Sequence, residues 1–331
     1  MWRGPATNVH FVLPADVDDP GSPSGGNVYD VRVGANLRRV TVAGDWPRPR
    51  DAGALEQALA GIPDGDVVLI DGLVGCGVPE VVVPHAGRLR IAVLVHLPLA
   101  DETGLDAGVA ALLEAKEGQV LRAVGAVIAT SPTAAENIRV RHGLDRVHVV
   151  VPGTDPAPVA VGTDGVSRLL CVASITPRKG HDLLVRALRK IDHDWRLECV
   201  GPRRPFVGTL PEDDRVSFPG ALAGEALTSA YGRADLFVLA SRNETYGMVV
   251  TEALARGLPV IASAVPDALG DGGLLLPPGD ENALEAALTR WFQDQEFRAE
   301  LRAKALARRA VLSTWDESTE DLRRVLASLR P

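Results

Sequence analysis

Cysteine is scarce in this chain, with Cys76, Cys171 and Cys199 the only three in 331 residues. An odd, widely spaced set makes no disulfide framework. Cys171 and Cys199 fall within apolar strand-like runs, so buried free thiols in a reducing compartment are expected. Long apolar runs are missing too. The opening segment MWRGPATNVHFVLPAD has no stretch of signal-peptide length and no stop-transfer segment follows it, which points to a cytoplasmic protein. A positive balance is also absent: the net charge of −8 gives no general attraction to nucleic acid or anionic lipid. G-x-S-x-G and P-loop patterns do not occur, leaving serine-hydrolase and kinase chemistry without support, and G-L-V-G-C-G (Gly72 to Gly77) has the wrong glycine spacing for a dinucleotide fingerprint. Asp16, Asp18 and Asp19 have no His or Cys at ligand spacing. Pro20 and Gly21 mark that run as a plain turn, and no required metal is expected.

What is present is an α/β pattern. With 46% apolar and 24% charged residues the composition is that of a folded globular chain, long enough for two domains that each bury a core. The runs VHFVLP, RRVTVAG, DVVLIDG, RIAVLVH, AVIATS and HVVVPG are short and Val/Ile-rich, as expected of strands buried on both faces of a parallel sheet. Helices are expected between them at Ala52 to Ile62 and Thr103 to Val124. A Pro/Gly-rich stretch, Pro152 to Gly165, reads as a linker. The alternation then resumes with LLCVAS, RLECVG, VSFPG, LFVLAS and LPVIAS. Both halves read as doubly wound parallel-sheet domains, whose ligands sit at the carboxyl ends of the strands. From Glu281 to Leu329 the pattern is helical and charged, with a break near Ser313. The basic face RAELRAKALARR is interrupted by acidic residues and reads as a solvated helix face, allowing at most peripheral membrane contact.

The most informative segment is RNETYGMVVTEA, Arg242 to Ala253. A strand runs into a polar turn, and Gly247 opens a helix whose mouth offers unpaired N–H groups and the positive end of a dipole, a seat for an anion such as a diphosphate. Glu244 precedes that seat and Glu252 follows it. Eight residues of helix would place them about 12 Å apart, too far to share a proton or a metal ion but suited to hydroxyls on either side of a diphosphate.

E-x7-E followed by A-L-A-R-G-L-P-V-I-A-S resembles the signature of retaining glycosyltransferases of family four, which have the GT-B fold. The similarity extends in order along nearly the whole chain: VLVHLPL around His96, VIATSPTAAENI around Ser131, VVVPGTDP around Gly153, SRLLCVASITPRKGHDLLVRAL from Ser167 to Leu188, VSFPGAL around Gly220, and a closing helix entered by Trp315. The resemblance implies two Rossmann-like domains facing a central cleft, an N-terminal acceptor-side domain over residues 1–155 and a nucleotide-sugar domain over 156–312, with a helix over 313–331 crossing back. It places Glu244 on the hydroxyls of the transferred sugar, Glu252 on the ribose, and the amides of Gly247, Met248 and Val249 toward phosphate. Lys179, with Arg178, would neutralise the departing diphosphate. His96 would lie beside the donor sugar, and Gly25 and Gly26 would approach the phosphates closely.

Two departures stand out. The usual glycine pair before Pro-Glu is replaced in SAVPDALG after Ile261, and the segment after Gly26 is too short for the family's full first helix and strand. Ser174 also stands where many members carry Arg, and Arg178 is the candidate to supply that charge. The implied activity is metal-independent hexosyl transfer, with retention, from a nucleoside diphosphate sugar to an acceptor hydroxyl. The donor is a substrate and no separate cofactor is expected. Base, sugar and acceptor stay open, the acceptor among small molecule, glycan and lipid-linked hydroxyl. The competing readings are a sugar phosphorylase using sugar 1-phosphate, against which Glu252 argues, and a degenerate sugar-nucleotide binding protein.

Overall fold

The computed structural model describes residues 9–19, 24–203, 210 and 212–329. The first eight residues and the expected Pro20–Gly21 turn lie outside the described residues. The chain divides into two compact units. Among the described residues, one holds those up to Pro152 together with those from Trp315 onward, and the other holds those from Gly153 to Thr314.

The first unit contains strands β1 (Val9–Pro14), β2 (Arg38–Val42), β3 (Val67–Asp71), β4 (Arg90–Val95), β5 (Ala126–Ala129) and β6 (His148–Val149). They form one parallel sheet in the order β2-β1-β3-β4-β5-β6. Around it lie helices α1 (Gly25–Val33), α2 (Gly53–Ala60), α3 (Gly72–Gly75), α4 (Pro79–His85), α5 (Ala107–Ala123) and α6 (Pro132–His142). Every residue of β1 and β3 is buried, as an unalternating apolar run requires at the centre of a covered sheet. β2 departs from that expectation, because it is the edge strand and only Val42 is buried. α1 starts where the side chain of Ser24 accepts the amide of Asn27 at 3.0 Å. The segment after Gly26 thus does make a nine-residue helix and a five-residue strand. α5 starts later than Thr103 because Asp106 caps it, accepting from the amide of Val109 at 2.9 Å.

The second unit contains β7 (Arg168–Val172), β8 (Arg196–Val200), β9 (Val216–Gly220), β10 (Leu236–Leu239), β11 (Val260–Ser263) and β12 (Leu274–Leu276), a parallel sheet in the order β12-β11-β10-β7-β8-β9. Its helices are α7 (His181–Arg189), α8 (Gly224–Gly232), α9 (Met248–Ala255), α10 (Pro266–Leu269), α11 (Glu281–Gln293) and α12 (Gln295–Arg309). The switch in strand order between β7 and β10 brings the loops after these two neighbours to the same end of the sheet, where doubly wound folds bind ligands. The stretch expected as a linker is pinned: the amide of Thr154 donates to Ser313 O and that of Ala160 to Arg256 O, both at 2.8 Å. Besides the break before Trp315, the C-terminal helical run also breaks at Asp294, whose carboxylate caps α12 through the amide of Phe297. The last helix, α13 (Trp315–Ser328), packs on α1 in the first unit, with the Trp315 and Tyr29 rings 6.1 Å apart and Ser318 Oγ donating to Val151 O at 2.6 Å.

Candidate functional site

In the second unit the loops after β7 and β10 form one charge cluster. The side chain of Glu244 is 7% exposed. Its Oε1 receives Lys179 Nζ and, at 3.0 Å, the hydroxyl of Ser241, while Arg178 Nη1 lies 3.5 Å from Oε2. Burial pushes the Glu244 carboxyl up, but the charges of Lys179 and Arg178 outweigh it and hold the group below its ordinary value. Arg178 also donates to the carbonyl of Asn243 at 3.1 Å. The loop that carries both cations is fixed by Arg242, whose guanidinium spans both carboxylate oxygens of Asp182 at 2.9 and 2.8 Å. Gly180 closes the turn at φ 66°, and a Cβ there would lie 2.0 Å from the carbonyl oxygen of Ala240.

The helix next to this cluster begins at Met248, not before it. Gly247 sits at φ 95°, ψ 60°, a left-handed conformation that no right-handed helix continues through. The expectation of eight helical residues, and hence of about 12 Å, between Glu244 and Glu252 is therefore corrected, since only the rise from Met248 onward is helical. Gly247, Met248 and Val249 do stand at the helix mouth. Glu252 is held apart from the Lys179 cluster by its own partner: Tyr231 Oη donates to its Oε2 at 2.8 Å, and the Arg256 guanidinium lies 4.5 Å from the Tyr231 ring centre. Burial raises the Glu252 carboxyl, with the Tyr231 hydrogen bond and Arg256 opposing it.

In the first unit, His96 follows β4 and its Nε2 meets Asp30 Oδ1 of α1 at 2.8 Å. Gly26 lies against the imidazole, since a Cβ there would be 3.2 Å from ring carbons of His96. Gly25 opens the same helix. The Tyr29 ring meets His96 edge-on at 5.4 Å and anchors its hydroxyl on Val150 O at 2.9 Å. Burial by itself would lower the His96 pKa, but the charge and hydrogen bond of Asp30, with a smaller push from Asp71, raise it to about 9. Asp30, Asp71 and His96 bring their ligand-type atoms within 4.8 Å of one another. Within this group His96 is hydrogen-bonded to Asp30, and Asp71 accepts the amide of Leu73 at 2.8 Å. In the run of Asp16, Asp18 and Asp19, the amide of Asp19 closes a turn on Asp16 O at 2.9 Å and Asp18 pairs with Arg39 at 2.9 Å.

Sequence reasoning did not find Asp30, Asp71, Tyr231 or Ser241. Asp71 had a signal, as the acidic end of an otherwise apolar strand. Asp30 had none, because its position four residues after Gly26 on α1 matters only once β4 delivers His96 beside it.

Two parallel six-stranded sheets with helices around them, strand switch points and a last helix assigned to the first unit define the GT-B fold. Solved structures agree. Sucrose-phosphate synthase from Thermosynechococcus elongatus matches with a TM-score of 0.77 over 98% of this chain and 99% of that one at 21% identity. Anabaena HepE, solved in complex with UDP and glucose, matches with a TM-score of 0.75 over 98% and 100% at 15% identity. The family model for glycosyl transferases of group 1 matches residues 166–294, and the chain belongs to that family. Among curated relatives, D-inositol 3-phosphate glycosyltransferase of Actinosynnema mirum is 32% identical over 282 residues, 74% of this chain and 66% of that protein. The chain spans about half the length of most of the curated relatives it matches. No helix among the described residues is long and apolar enough to cross a membrane.

Proposed function

We propose that the protein transfers a hexose, with retained anomeric configuration, from a nucleoside diphosphate sugar to an acceptor hydroxyl. The observation that carries this reading is the Lys179–Glu244–Arg178 cluster beside the mouth of α9. Two fixed cations and the amides of Gly247, Met248 and Val249 suit a diphosphate whose negative charge grows as the glycosidic bond breaks. Because these groups can carry the leaving-group charge, the reading needs neither a metal ion nor a cofactor beyond the donor substrate. Glu244 receives sugar hydroxyls, and Glu252, steadied by Tyr231, receives the ribose. Gly25 and Gly26 let backbone approach the phosphates, and His96 acts on the transferred sugar. Attack is taken to come from the leaving-group face, with a donor phosphate oxygen assisting removal of the acceptor's proton.

Titration calorimetry with UDP, GDP, ADP and TDP, on the protein and on Glu252→Ala, tests the donor site. UDP comes first because HepE is recorded with it. Donor turnover with sugars of the tightest nucleotide follows. Selective binding that the variant loses, together with transfer or donor hydrolysis, supports the reading. Binding without turnover points to a degenerate binding protein, and absence of nucleotide binding sinks the proposal in favour of sugar 1-phosphate chemistry.

A further inference from the structure

Asp30 is fully buried, yet its Oδ2 has no hydrogen-bond donor among the described residues. A carboxylate oxygen in that state costs free energy unless something supplies a proton. Asp71, 3% exposed at the end of β3, brings a carboxylate oxygen within 4.8 Å of one of Asp30. Two ionised carboxyls cannot share so dry a site, and one proton between them resolves both problems at once. Burial first, and then the charge of Asp30 and the hydrogen bond between the two carboxyls, push Asp71 up to about 7, against the opposing pull of His96 and of the Leu73 amide. Two further titratable side chains packed here, Tyr29 and Cys76, are held in their neutral forms. The phenol of Tyr29, against the His96 ring, is raised well above its ordinary value by burial and by Asp30 and Asp321, and the thiol of Cys76 is pushed up by burial and by Glu117 and Asp71. Asp30 and Asp71 are thus the charged groups that act on His96.

We propose that Asp30 and Asp71 are positioning residues that share one proton across their facing carboxyls, leave one negative charge in the pocket, and so keep His96 an imidazolium whose outward ring edge donates to an oxygen of the sugar part of a nucleotide sugar. The charges balance: the two carboxyls and their proton carry one negative charge, the ring one positive. His96 Nε2 is committed to Asp30. Nδ1 is then the nitrogen left to donate, and the side chain keeps 19% exposure to reach a ligand. The arrangement makes His96 a fixed cationic hydrogen-bond donor, not a base, through neutral pH. The ligand-facing half of the proposal rests on the function proposed above, while the charge-state half does not.

The test separates the two. Imidazole resonances of the ligand-free, isotope-labelled protein, with His96 assigned by comparison with His96→Gln, are followed from pH 5 to 10. The expected result is a ring protonated at pH 7 with its midpoint above 8. In Asp30→Asn the midpoint should drop by at least one pH unit, a tenfold change in proton affinity. Asp71→Asn, whose amide imitates the protonated acid, should keep the ring charged at pH 7. A neutral ring in the unmodified protein, or a midpoint unmoved in Asp30→Asn, overturns the proposal. A ring rendered neutral at pH 7 by Asp71→Asn removes the shared proton from it. Should Asp30→Asn fail to fold, the one-bond N–H couplings of both ring nitrogens in the unmodified protein still decide the charge state. For the ligand-facing half, Asp30→Asn should weaken UDP-glucose about tenfold while leaving UDP unchanged. Equal losses for the two ligands overturn that half; where another of the four nucleoside diphosphates binds tightest, it and its glucose derivative replace UDP and UDP-glucose, and binding of none of the four by the unmodified protein counts against the donor site without touching the ring titration.

Discussion

Lys179 and Glu244 stand in loops that follow two adjacent parallel strands, β7 and β10, and meet there as a largely buried ion pair, with side chains 16% and 7% exposed. Removing one partner leaves the other's charge without its main compensation. Lys179→Ala is expected to destabilise the protein by about 3 kcal/mol, toward the lower end for broken buried pairs because Arg178 and Ser241 remain with Glu244. Urea unfolding measures this, and calorimetry on the same variant should show weakened nucleoside diphosphate binding. Unchanged stability and affinity would mean that the pair does neither job.

Gly180 tolerates no side chain. Its φ of 66° is left-handed, and an added Cβ would fall 2.0 Å from Ala240 O. The turn that presents Arg178 and Lys179 would have to move, so Gly180→Ala should cost more than about 2 kcal/mol. Donor turnover should fall with it. A variant as stable and as active as the parent would contradict the close approach.

Ala264 is the reverse case. It stands in SAVPDALG, where the family usually has a glycine pair, and it keeps a left-handed φ of 61°, the only positive φ outside glycine among the described residues. Relief of roughly 1–2 kcal/mol of steric cost exceeds the entropy that glycine adds to the unfolded chain. Ala264→Gly should therefore stabilise by roughly 0.5 kcal/mol, read as a higher melting temperature, and a lower one would refute the argument.

Tyr231 orients Glu252 through its hydroxyl. Tyr231→Phe removes one hydrogen bond to a carboxylate, which should cost about 1.5 kcal/mol of stability, and with Glu252 no longer held in place the affinity of the nucleotide that binds best should fall. Glu252→Ala should lose more. The discriminating control is the 2′,3′-dideoxy nucleotide, whose affinity neither variant should lower further if the ribose is what Glu252 holds.

Asp71 and His96 both have folded-state values raised above their ordinary 3.8 and 6.5, to about 7 and about 9. A raised value means the folded protein holds the proton more tightly, so the contribution is complete below the ordinary value and disappears as pH rises through the folded one. Stability attributable to Asp71 is lost between about pH 4 and 7, and that attributable to His96 between about 6.5 and 9. Glu244, held low, acts oppositely and loses its contribution in acid. Melting temperature against pH for the protein and for Asp71→Asn should diverge below pH 7 and run parallel above pH 8; parallel curves throughout would argue against a protonated Asp71.

Much of this was determined by the sequence alone. Short unalternating runs rich in Val and Ile and bounded by turn residues suit inner strands, so β1, β3, β4 and β10 were legible. The ordered motifs located Lys179, Glu244, Gly247 and Glu252, because they lie in short contiguous segments whose spacing is local. The same patterning misjudged β2, since whether a strand lies at a sheet edge is a property of the sheet. It also carried a helix through Gly247, where one residue's backbone conformation ends it. Tertiary structure alone decided the partnerships between residues distant in sequence: Asp30 with His96 and Asp71, and Tyr231 with Glu252. Those depend on which strand ends and helix turns the topology places side by side, and their protonation depends on how completely neighbours from other elements exclude water. A string of residues does not carry that information locally.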